Sequence, residues 1–179
     1  MKEIRIHARA GQGAITTAVL LGFAYFKEGK FLYAFPSFGA ARMGAPMNAF
    51  VRVDDKPVRL RSQIYQPDYV IVMDPTLLRG YNCFSGLKDN GIAIINGTPG
   101  MELPKLKATQ KAVIVPANEI ALKAIRRPLG NTALIGAFAK ATGEIKLDTL
   151  IEVVKNRFSA KIQEGNIKAV RQGFEYVKE

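Results

Sequence analysis

The sequence predicts an α/β fold: a single doubly wound, mostly parallel sheet with helices on both faces, an antiparallel hairpin and a helical C-terminal part. Strand-like and helical segments alternate as far as residue 115, which is typical of a parallel sheet with crossover helices. Beyond that point apolar residues recur only at helical spacing. A chain of 179 residues, 48% of them apolar, has the size and composition of one domain, and we predict a single domain over residues 1–179.

The first strand is predicted at Glu3–Ala8, where apolar and polar residues alternate. Gly11–Gly13 then forms a turn, and a helix follows over Ile15–Lys27, with Gly29 placed to end it. Apolar residues lie on most sides of this helix. We therefore expect it to pack on the sheet and also against a second surface, either a neighbouring helix or another subunit.

The second strand is predicted at Phe31–Ala34, and a long glycine-rich loop follows over Phe35–Asn48. Ala49–Val53 and Val58–Arg61 are strand-like and are separated by Asp-Asp-Lys-Pro, a sequence typical of turns. These two segments are therefore predicted to form the antiparallel hairpin. The long loop is expected to be among the more mobile parts of an isolated chain.

Three unbroken apolar runs rich in β-branched residues fit buried parallel strands. They lie at Tyr69–Met73, Ile92–Ile95 and Ala112–Val115. Helical patterns then follow at Ala117–Ile125, from Asn131 to Gly143, at 147–158 and at 167–177. Asn131 is predicted to cap the second of these helices, and the last two each carry one apolar stripe that we assign to the core.

The chain is strongly basic. Lysine and arginine outnumber aspartate and glutamate by 26 to 15, which gives a formal net charge of +11. This excess favours acidic proteins or phosphorylated ligands as partners. The basic residues are spread along the chain instead of forming a stripe, so nucleic-acid binding is not predicted. The longest apolar run, Ala18–Phe26, is too short to span a membrane and no signal peptide is visible, so we expect a cytoplasmic protein without membrane contacts.

No catalytic residue and no metal ligand is predicted. His7 is the only histidine and Cys83 the only cysteine, and nothing has the spacing of a metal cluster or of a nucleophile–base pair. We interpret His7 as a packed strand residue and Cys83 as a small apolar residue. Asp74 lies at the end of a strand, where α/β proteins bind ligands, but an Asp-Pro pair is more often the start of a helix.

The glycine turn is the first candidate binding site. Gly11, Gln12, Gly13 and Ala14 follow a strand and open a helix, an arrangement in which backbone N–H groups bind phosphate. The dinucleotide fingerprint is only half present, because Thr16 stands where its third glycine belongs and no acidic residue ends the second strand. The residues alone leave two interpretations: an anion or diphosphate site, or a tight turn packed against a neighbouring subunit.

Arginines form the second set of candidates. Arg42 is the only charged residue of the long loop, where it can bind a phosphate or carboxylate through two hydrogen bonds or pair with an acidic partner chain. Arg52, Arg59 and Arg61 lie on the two arms of the predicted hairpin. We predict that this basic ribbon docks an acidic protein surface or phosphates, and a merely solvated ribbon is the alternative.

Four motifs occur in a specific order: RAGQGA at Arg9–Ala14, FPSFGAARMGAPMNAFVRV at Phe35–Val53, RLRS at Arg59–Ser62 and PDYVIVMDPTLL at Pro67–Leu78. Together with NTALIGA at Asn131–Ala137 and the two terminal helices, they make the chain resemble the gamma subunits of the 2-oxoacid:ferredoxin oxidoreductases over nearly its whole length. The second motif is most similar to the pyruvate branch of this family, pyruvate:ferredoxin oxidoreductase or pyruvate synthase.

The resemblance implies a non-catalytic subunit, inactive alone, of a complex that converts pyruvate, coenzyme A and oxidised ferredoxin into acetyl-CoA, carbon dioxide and reduced ferredoxin. In such complexes thiamine diphosphate, magnesium and iron–sulfur clusters belong to the alpha, beta and delta partner subunits, and the gamma subunit helps to hold coenzyme A. The implied coenzyme A or interface residues are Gly11, Gln12, Gly13, Ala14 and Arg42, and the implied docking residues are Arg52, Arg59 and Arg61. The alternatives are a gamma subunit for another 2-oxoacid (2-oxoglutarate, a branched-chain oxoacid or indolepyruvate) and a free-standing nucleotide-binding α/β protein.

Overall fold

The computed structural model describes residues 1–38 and 42–178, so Gly39, Ala40 and Ala41 of the predicted long loop lie outside the described residues. The described strands are β1 (Lys2–Arg9), β2 (Phe31–Phe38), β3 (Pro46–Asp54), β4 (Tyr69–Val72), β5 (Ile92–Asn96) and β6 (Lys111–Val115). The described α-helices are α1 (Ala14–Lys27), α2 (Ala117–Ile125), α3 (Asn131–Thr142), α4 (Leu147–Arg157) and α5 (Ala160–Tyr176). A 3₁₀-helix spans Pro75–Arg79.

The strands form one sheet in the order β2-β3-β1-β4-β5-β6. β1, β4, β5 and β6 are parallel neighbours, whereas β3 runs antiparallel to both β1 and β2. The predicted α/β class, the mostly parallel sheet, the antiparallel hairpin and the helical C-terminal part are therefore confirmed. The β2–β3 hairpin lies at one edge of the sheet, and β2, which runs parallel to β1, is connected to it by the crossover helix α1.

The hairpin is made by different strands from those predicted. β2 pairs with β3 along its whole length, so residues 35–38 and 46–48 of the predicted Phe35–Asn48 loop are strand. Pro36 is tolerated because β2 is an edge strand, which need not donate a hydrogen bond on its outer side. The rings of Phe35 and Phe50 lie opposite each other across the hairpin, with 5.0 Å between their centroids.

The predicted strand at Val58–Arg61 is wrong, because this segment is irregular. The Arg52 side chain on β3 supplies the physical reason. Its guanidinium donates hydrogen bonds to the backbone carbonyls of Ser62 at 2.5 Å and of Gln63 at 3.1 Å. A side chain therefore holds this stretch of chain against the sheet in place of a strand ladder.

One face of the sheet carries the main core. Ile4 and Ile6 of β1, Ile71 of β4 and Ile94 of β5 are fully buried there, among apolar side chains of all five helices. Burying each of these side chains contributes on the order of 2 kcal/mol to folding. The parallel strands are held in place from this side.

The opposite face of the sheet is covered by a different part of the chain. Its apolar cluster contains Val70 and Val72 of β4, packed against Leu77 of the 3₁₀-helix and against Phe84 and Leu87 of an irregular segment. In the described residues the α-helices pack in the core of the first face, and irregular chain covers the second. The segment between β4 and β5 is interrupted by glycines, which disfavour a longer helix.

The start of α3 lies against the start of α1. Asn131 is the first residue of α3, and the preceding Gly130 occupies the cap position, so the predicted side-chain cap by Asn131 is wrong. The Asn131 side chain is buried instead, and its amide nitrogen lies 3.0 Å from the point where a Cβ on Gly13 would stand. Gly13, with a φ of 86°, provides both the left-handed turn and the close approach.

Candidate functional site

The two predicted glycine-rich segments are neighbours in space. The backbone N–H of Ala10 donates to the carbonyl of Ala45 at 2.8 Å, and the N–H of Gly44 donates to the carbonyl of Ala10 at 3.0 Å. Gly11 faces Met43, whose terminal methyl lies 2.6 Å from the point where a Cβ on Gly11 would stand. The turn after β1 and the loop of the β2–β3 hairpin therefore form one surface.

Arg9 joins this surface to the end of β4. Its guanidinium forms an ion pair with Asp74 at 3.3 Å, donates to the hydroxyl of Thr76 at 3.1 Å and donates to the carbonyl of Gly44 at 3.1 Å. The amide of Gln12 also donates to Asp74, at 2.7 Å. These contacts fix the glycine turn, the hairpin loop and the 3₁₀-helix relative to one another.

Asp74 is the acceptor at the centre of this network. Burial alone would raise the pKa of its carboxyl, but hydrogen bonds from Thr76 and Gln12 and the charge of Arg9 outweigh burial and hold the pKa below its usual value. The carboxylate is therefore ionised at neutral pH. Its bond to the backbone N–H of Thr76, at 2.9 Å, also caps the 3₁₀-helix, which agrees with the interpretation of Asp-Pro as a helix start.

A cleft of about 820 Å³ opens beside the hairpin loop and is lined by His7, Arg9, Arg42 and Tyr81, among other residues. Arg42 is exposed at its edge. The volume lies within the range of about 300–1,000 Å³ that is usual for small-molecule sites. The cleft thus presents the exposed guanidinium of Arg42 to an anionic ligand, whereas that of Arg9 is paired with Asp74.

His7 lines this cleft but is not suited to proton transfer. The Nε of Arg5 donates to its Nε2 at 3.0 Å. Burial, together with the positive charge of Arg5, lowers the pKa of His7 to about 4. The imidazole is therefore neutral at pH 7 and already engaged as an acceptor, which agrees with its interpretation as a packed strand residue.

A second cleft, of about 780 Å³, lies at the carboxyl ends of β4, β5 and β6. Thr76, Asn96 and Asn118 contribute polar groups to its wall. Asn96 is buried and donates to the carbonyl of Met73 at 3.0 Å, while its oxygen accepts from the N–H of Asn118 at 3.2 Å. Thr76 lines this cleft and Arg9 lines the first, so the hydrogen bond from Arg9 to Thr76 links the two walls.

The structure brings some of the predicted binding residues to the first cleft and not others. Arg42 lines it, and Gly11 is exposed next to Met43 of the same cleft wall. Gln12 and Gly13 are partly buried, and Ala14 is 2% exposed and belongs to the main core. Within this chain, the glycine turn packs against α3 and the hairpin loop.

The predicted basic ribbon of Arg52, Arg59 and Arg61 is not formed. The Arg52 side chain is buried and its Nε binds Glu3 at 2.8 Å. Arg59 and Arg61 are exposed, and the Arg61 guanidinium stacks over the ring of Tyr33 at 3.8 Å from its centroid. Geometrically, only Arg59 and Arg61 are available to a partner in this conformation.

Arg9 and Thr76 are the residues that sequence reasoning missed. Arg9 opens the RAGQGA motif, and Thr76 follows the Asp-Pro pair at the end of β4. The signal was therefore present in the motifs, but the pairing joins residues 65 or more positions apart. Nothing in a local pattern shows such a contact.

Cys83 is buried in the second core, and burial raises the pKa of its thiol to about 11. Among the residues described, no cluster of three or more His, Cys, Asp or Glu side chains is placed to hold a metal ion. Within the same residues, none of the helices has both the length and the apolar character that crossing a membrane requires.

The outer face of α1 is apolar and uncovered. Ile15, Phe23 and Phe26 are 44%, 52% and 69% exposed, and Phe31 at the start of β2 is 48% exposed. Single exposed apolar residues are ordinary, but three on one helix face are unusual. The predicted packing of α1 on the sheet is thus observed, and its second surface is left open in this chain.

A family model described as pyruvate ferredoxin/flavodoxin oxidoreductase matches residues 3–176. The chain belongs to this family. A protein named as the common gamma subunit of the pyruvate/ketoisovalerate oxidoreductases of Thermococcus kodakarensis is 50% identical over 177 residues, 97% of this chain and 96% of that protein. Pyruvate synthase subunit PorC of Methanosarcina barkeri is 50% identical over 155 residues, 87% of this chain and 85% of that protein.

The crystal structure of pyruvate oxidoreductase subunit PORC from Thermotoga maritima matches with a TM-score of 0.82 and 34% identity, covering 97% of this chain and 95% of that one. The resemblance to gamma subunits of the 2-oxoacid:ferredoxin oxidoreductases is therefore confirmed. In this member of the pyruvate ferredoxin/flavodoxin oxidoreductase family, the motifs at Arg9–Ala14, Phe35–Val53 and Pro67–Leu78 form the turn, the hairpin and the end of β4. Three motifs that are distant in sequence thus meet at the same end of the sheet, where β1 and β4 finish.

Proposed function

We propose that this chain is the gamma subunit of a multisubunit pyruvate:ferredoxin oxidoreductase, where it provides an assembly surface and helps to bind coenzyme A. In this proposal the partners are alpha, beta and delta subunits that carry thiamine diphosphate, magnesium and iron–sulfur clusters, and ferredoxin receives electrons from the whole complex. The chain acts as one domain over residues 1–179, in the cytoplasm, without nucleic acid or membrane as a partner. It has no turnover alone.

The outer face of α1 is the observation that carries the assembly role. Ile15, Phe23 and Phe26 project from a helix whose other side is buried in the main core. The nearby lysines are already paired, Lys27 with Glu152 at 2.6 Å and Lys30 with Asp55 at 2.5 Å. An apolar face bordered by satisfied charges fits an apolar surface of another subunit.

The assembly role is tested by charging this face. Because aromatic side chains dominate interface energies, Phe23→Asp with Phe26→Asp should weaken association with the partner subunits by at least about 30-fold. Tyr65→Asp, a change at an aromatic residue that is 71% exposed elsewhere, is the matched control and should leave association unchanged. Co-purification with tagged partner subunits is the measurement. Equal recovery of both variants, both folded by circular dichroism, would reject α1 as the assembly face.

The cleft beside the hairpin loop supports the coenzyme A role. Coenzyme A is a long ligand with three phosphates, and Arg42 offers a guanidinium donor at the wall of an 820 Å³ cleft that also contains Met43 and Tyr81. Gly11 allows the backbone to approach a ligand or the hairpin loop closely. Gln12, Gly13 and Ala14 then act by shaping the turn that Gly11 belongs to.

Kinetics on the assembled complex test this role. Arg42→Ala should raise the KM for coenzyme A by about 10-fold or more, because one hydrogen bond to a charged group is worth about 1.5–3 kcal/mol. The KM for pyruvate should not change. Lys56→Ala, an exposed cation in another loop, is the control. An unchanged KM for coenzyme A in the Arg42 variant would place the ligand elsewhere.

The name of one relative points to a branched-chain 2-oxoacid as a second candidate substrate. The Thermococcus kodakarensis protein is named as a subunit common to pyruvate and ketoisovalerate oxidoreductases. We therefore propose, as the alternative, that this chain also serves an oxidoreductase for a branched-chain 2-oxoacid. Ferredoxin reduction by complexes pulled down on this chain, with pyruvate, ketoisovalerate and 2-oxoglutarate in parallel, decides between them. Activity with pyruvate alone supports the first proposal.

Arg59 and Arg61 remain proposed docking residues in this complex, whereas Arg52 supports the segment that carries them. Exchanging Arg59 and Arg61 for glutamate should slow assembly without unfolding the chain, since both side chains are exposed. Unchanged assembly of that variant would limit the docking surface to α1.

A further inference from the structure

A groove on the helical side of the molecule is not used by the proposed function. It lies between the C-terminal end of α2 and the N-terminal end of α5 and encloses about 380 Å³. Gly165 allows the two helices to approach each other at its floor, because a Cβ there would stand 2.6 Å from the carbonyl oxygen of Ala124. The groove is therefore a fixed feature of how α5 packs on α2.

The walls of this groove are basic. Arg126, Lys161 and Lys168 line it, together with one acidic residue, Glu164, which is exposed. Lys123, in the last turn of α2, is also exposed. Several exposed cations are thus concentrated where two helix ends meet.

Some cations of the described chain form ion pairs and others do not. Lys88 pairs with Asp68 at 2.9 Å and Lys107 with Asp89 at 2.8 Å. By contrast, within the described residues the cations at the groove form no ion pair. Uncompensated positive charge on a surface attracts an acidic partner and costs self-repulsion without one.

Two exposed aliphatic residues accompany these charges. Leu122 on α2 is 54% exposed and lies one turn before Arg126, and Ile162 on α5 is 46% exposed and lines the groove itself. Exposed aliphatic side chains next to basic groups suit a protein interface, which has an apolar centre and a polar rim. Single-stranded nucleic acid is instead bound by aromatic side chains that stack on bases, and no aromatic residue lines this groove in the described chain.

We propose that the α2–α5 groove docks an acidic, amphipathic segment of a partner protein. Leucine-like side chains of that segment cover Leu122 and Ile162, and its carboxylates pair with Arg126, Lys161 and Lys168. The docking is independent of the proposed coenzyme A cleft and of the outer face of α1, because it uses residues of neither. Failure of one proposal therefore leaves the others standing.

Binding of a defined peptide to the full chain tests the proposal. The probe is a fluorescently labelled synthetic helix with leucines on one face and glutamates on the other, followed by anisotropy. In the triple variant Arg126→Glu, Lys161→Glu, Lys168→Glu the dissociation constant should rise at least about 10-fold, since each pair contributes up to roughly 1 kcal/mol and reversal adds repulsion. The matched control exchanges Lys56, Lys105 and Lys111 for glutamate, which changes the net charge equally. It should retain affinity within about threefold.

Two further measurements distinguish a protein partner from a nucleic-acid partner. Ile162→Ser should weaken the peptide about 10-fold by removing an aliphatic contact, and it should not alter binding of an oligothymidylate, which is the second probe. All variants are compared at equal helicity and equal thermal midpoint. The proposal is overturned if the control triple loses as much affinity as the groove triple, if Ile162→Ser binds the peptide like the wild type, or if the oligothymidylate binds more tightly than the peptide through the same residues.

Discussion

Buried arginines on the sheet act as structural braces. Arg5 donates to the carbonyls of Ile64, Cys83 and Ser85, at 3.3, 3.2 and 2.5 Å. Burial lowers the pKa of Arg5, but its ordinary value is so high that the guanidinium stays charged at neutral pH. Arg52 likewise binds carbonyls of the segment after β3. Both side chains therefore tie irregular chain to the second face of the sheet, on which no α-helix of the described residues packs.

Because Arg52 is buried and bonded whereas Arg59 is exposed, replacing them should change the free energy of unfolding by different amounts. Arg52→Ala removes the partner of Glu3 and leaves backbone carbonyls unsatisfied, so the free energy of unfolding should fall by about 3 kcal/mol or more. Arg59→Ala, at an exposed site, should change it by no more than about 0.5 kcal/mol. Urea unfolding followed by circular dichroism measures both. Similar losses for the two variants would contradict the structural role.

The lowered pKa of His7 predicts that folding stability depends on pH. The titration of this group can be followed by a single imidazole NMR signal, because His7 is the only histidine. Its folded pKa is lowered to about 4 by burial and by Arg5, whereas an unfolded histidine has a pKa near 6.5. Between those values the unfolded state binds the extra proton, so stability is fully present above about pH 6.5 and falls as the pH is lowered towards 4, by at most about 1.4 kcal/mol per pH unit.

Proton NMR of the folded chain should therefore show the imidazole titrating near pH 4, and His7→Gln should flatten the stability profile between about pH 4 and 6.5. An imidazole that titrates near 6.5 in the folded chain would mean that His7 is open to solvent and free of Arg5. In that case His7 would have to be reconsidered as an active group of the cleft.

At the scale of elements, local patterns predicted most strands and helices but not how the hairpin pairs. The strands β4, β5 and β6 and helix α2 follow the predicted ranges closely, because continuous apolar runs and helical spacing are local signals, although β6 is an edge strand and only Val115 of it is buried. β2 contains Pro36, and the connection from β2 to β3 is rich in glycine. Both features favoured the prediction of a loop. The pairing of β2 with β3 depends on the edge position of β2, which only the assembled sheet defines.

The candidate site shows the same division. The glycine turn and Arg42 were predictable from composition and motif, but the ion pair of Arg9 with Asp74 joins β1 to the end of β4. Arg52 looked like a surface residue because an alternating strand does not reveal that an irregular segment covers one face. Which arginines are available to a ligand therefore depends on which side chains are buried by other parts of the folded chain.

Close packing of α3 on α5 gives a prediction at the element scale. A Cβ on Gly136 would stand 2.0 Å from the carbonyl oxygen of Val170, and one on Gly173 would stand 2.0 Å from that of Ala133. Gly136→Ala and Gly173→Ala should each push the helices apart and destabilise the chain by about 1–3 kcal/mol. Gly80→Ala is the control, because a Cβ on Gly80 would have no described atom within 4 Å apart from its own chain neighbours. Thermal unfolding measures all three, and an unchanged midpoint for Gly136→Ala would contradict this packing.

At the scale of the whole molecule, the exposed surfaces differ in character. The outer face of α1 is apolar, the first cleft holds Arg9 and Arg42, and the α2–α5 groove is basic with an aliphatic centre. A net charge of +11 acts over all of them. Since long-range attraction guides encounter and apolar contact holds the complex together, charge should control how fast partners associate and α1 how long they stay.

This division predicts how association with the partner subunits responds to salt. Raising ionic strength from about 0.01 M to about 1 M shortens the screening length from roughly 30 Å to roughly 3 Å, so the association rate should fall steeply while the dissociation rate changes little. Phe23→Asp with Phe26→Asp should instead raise the dissociation rate, because the apolar contact is lost. Surface plasmon resonance with immobilised partner subunits separates the two rates. An association rate independent of salt would show that the excess positive charge serves another purpose than guiding assembly.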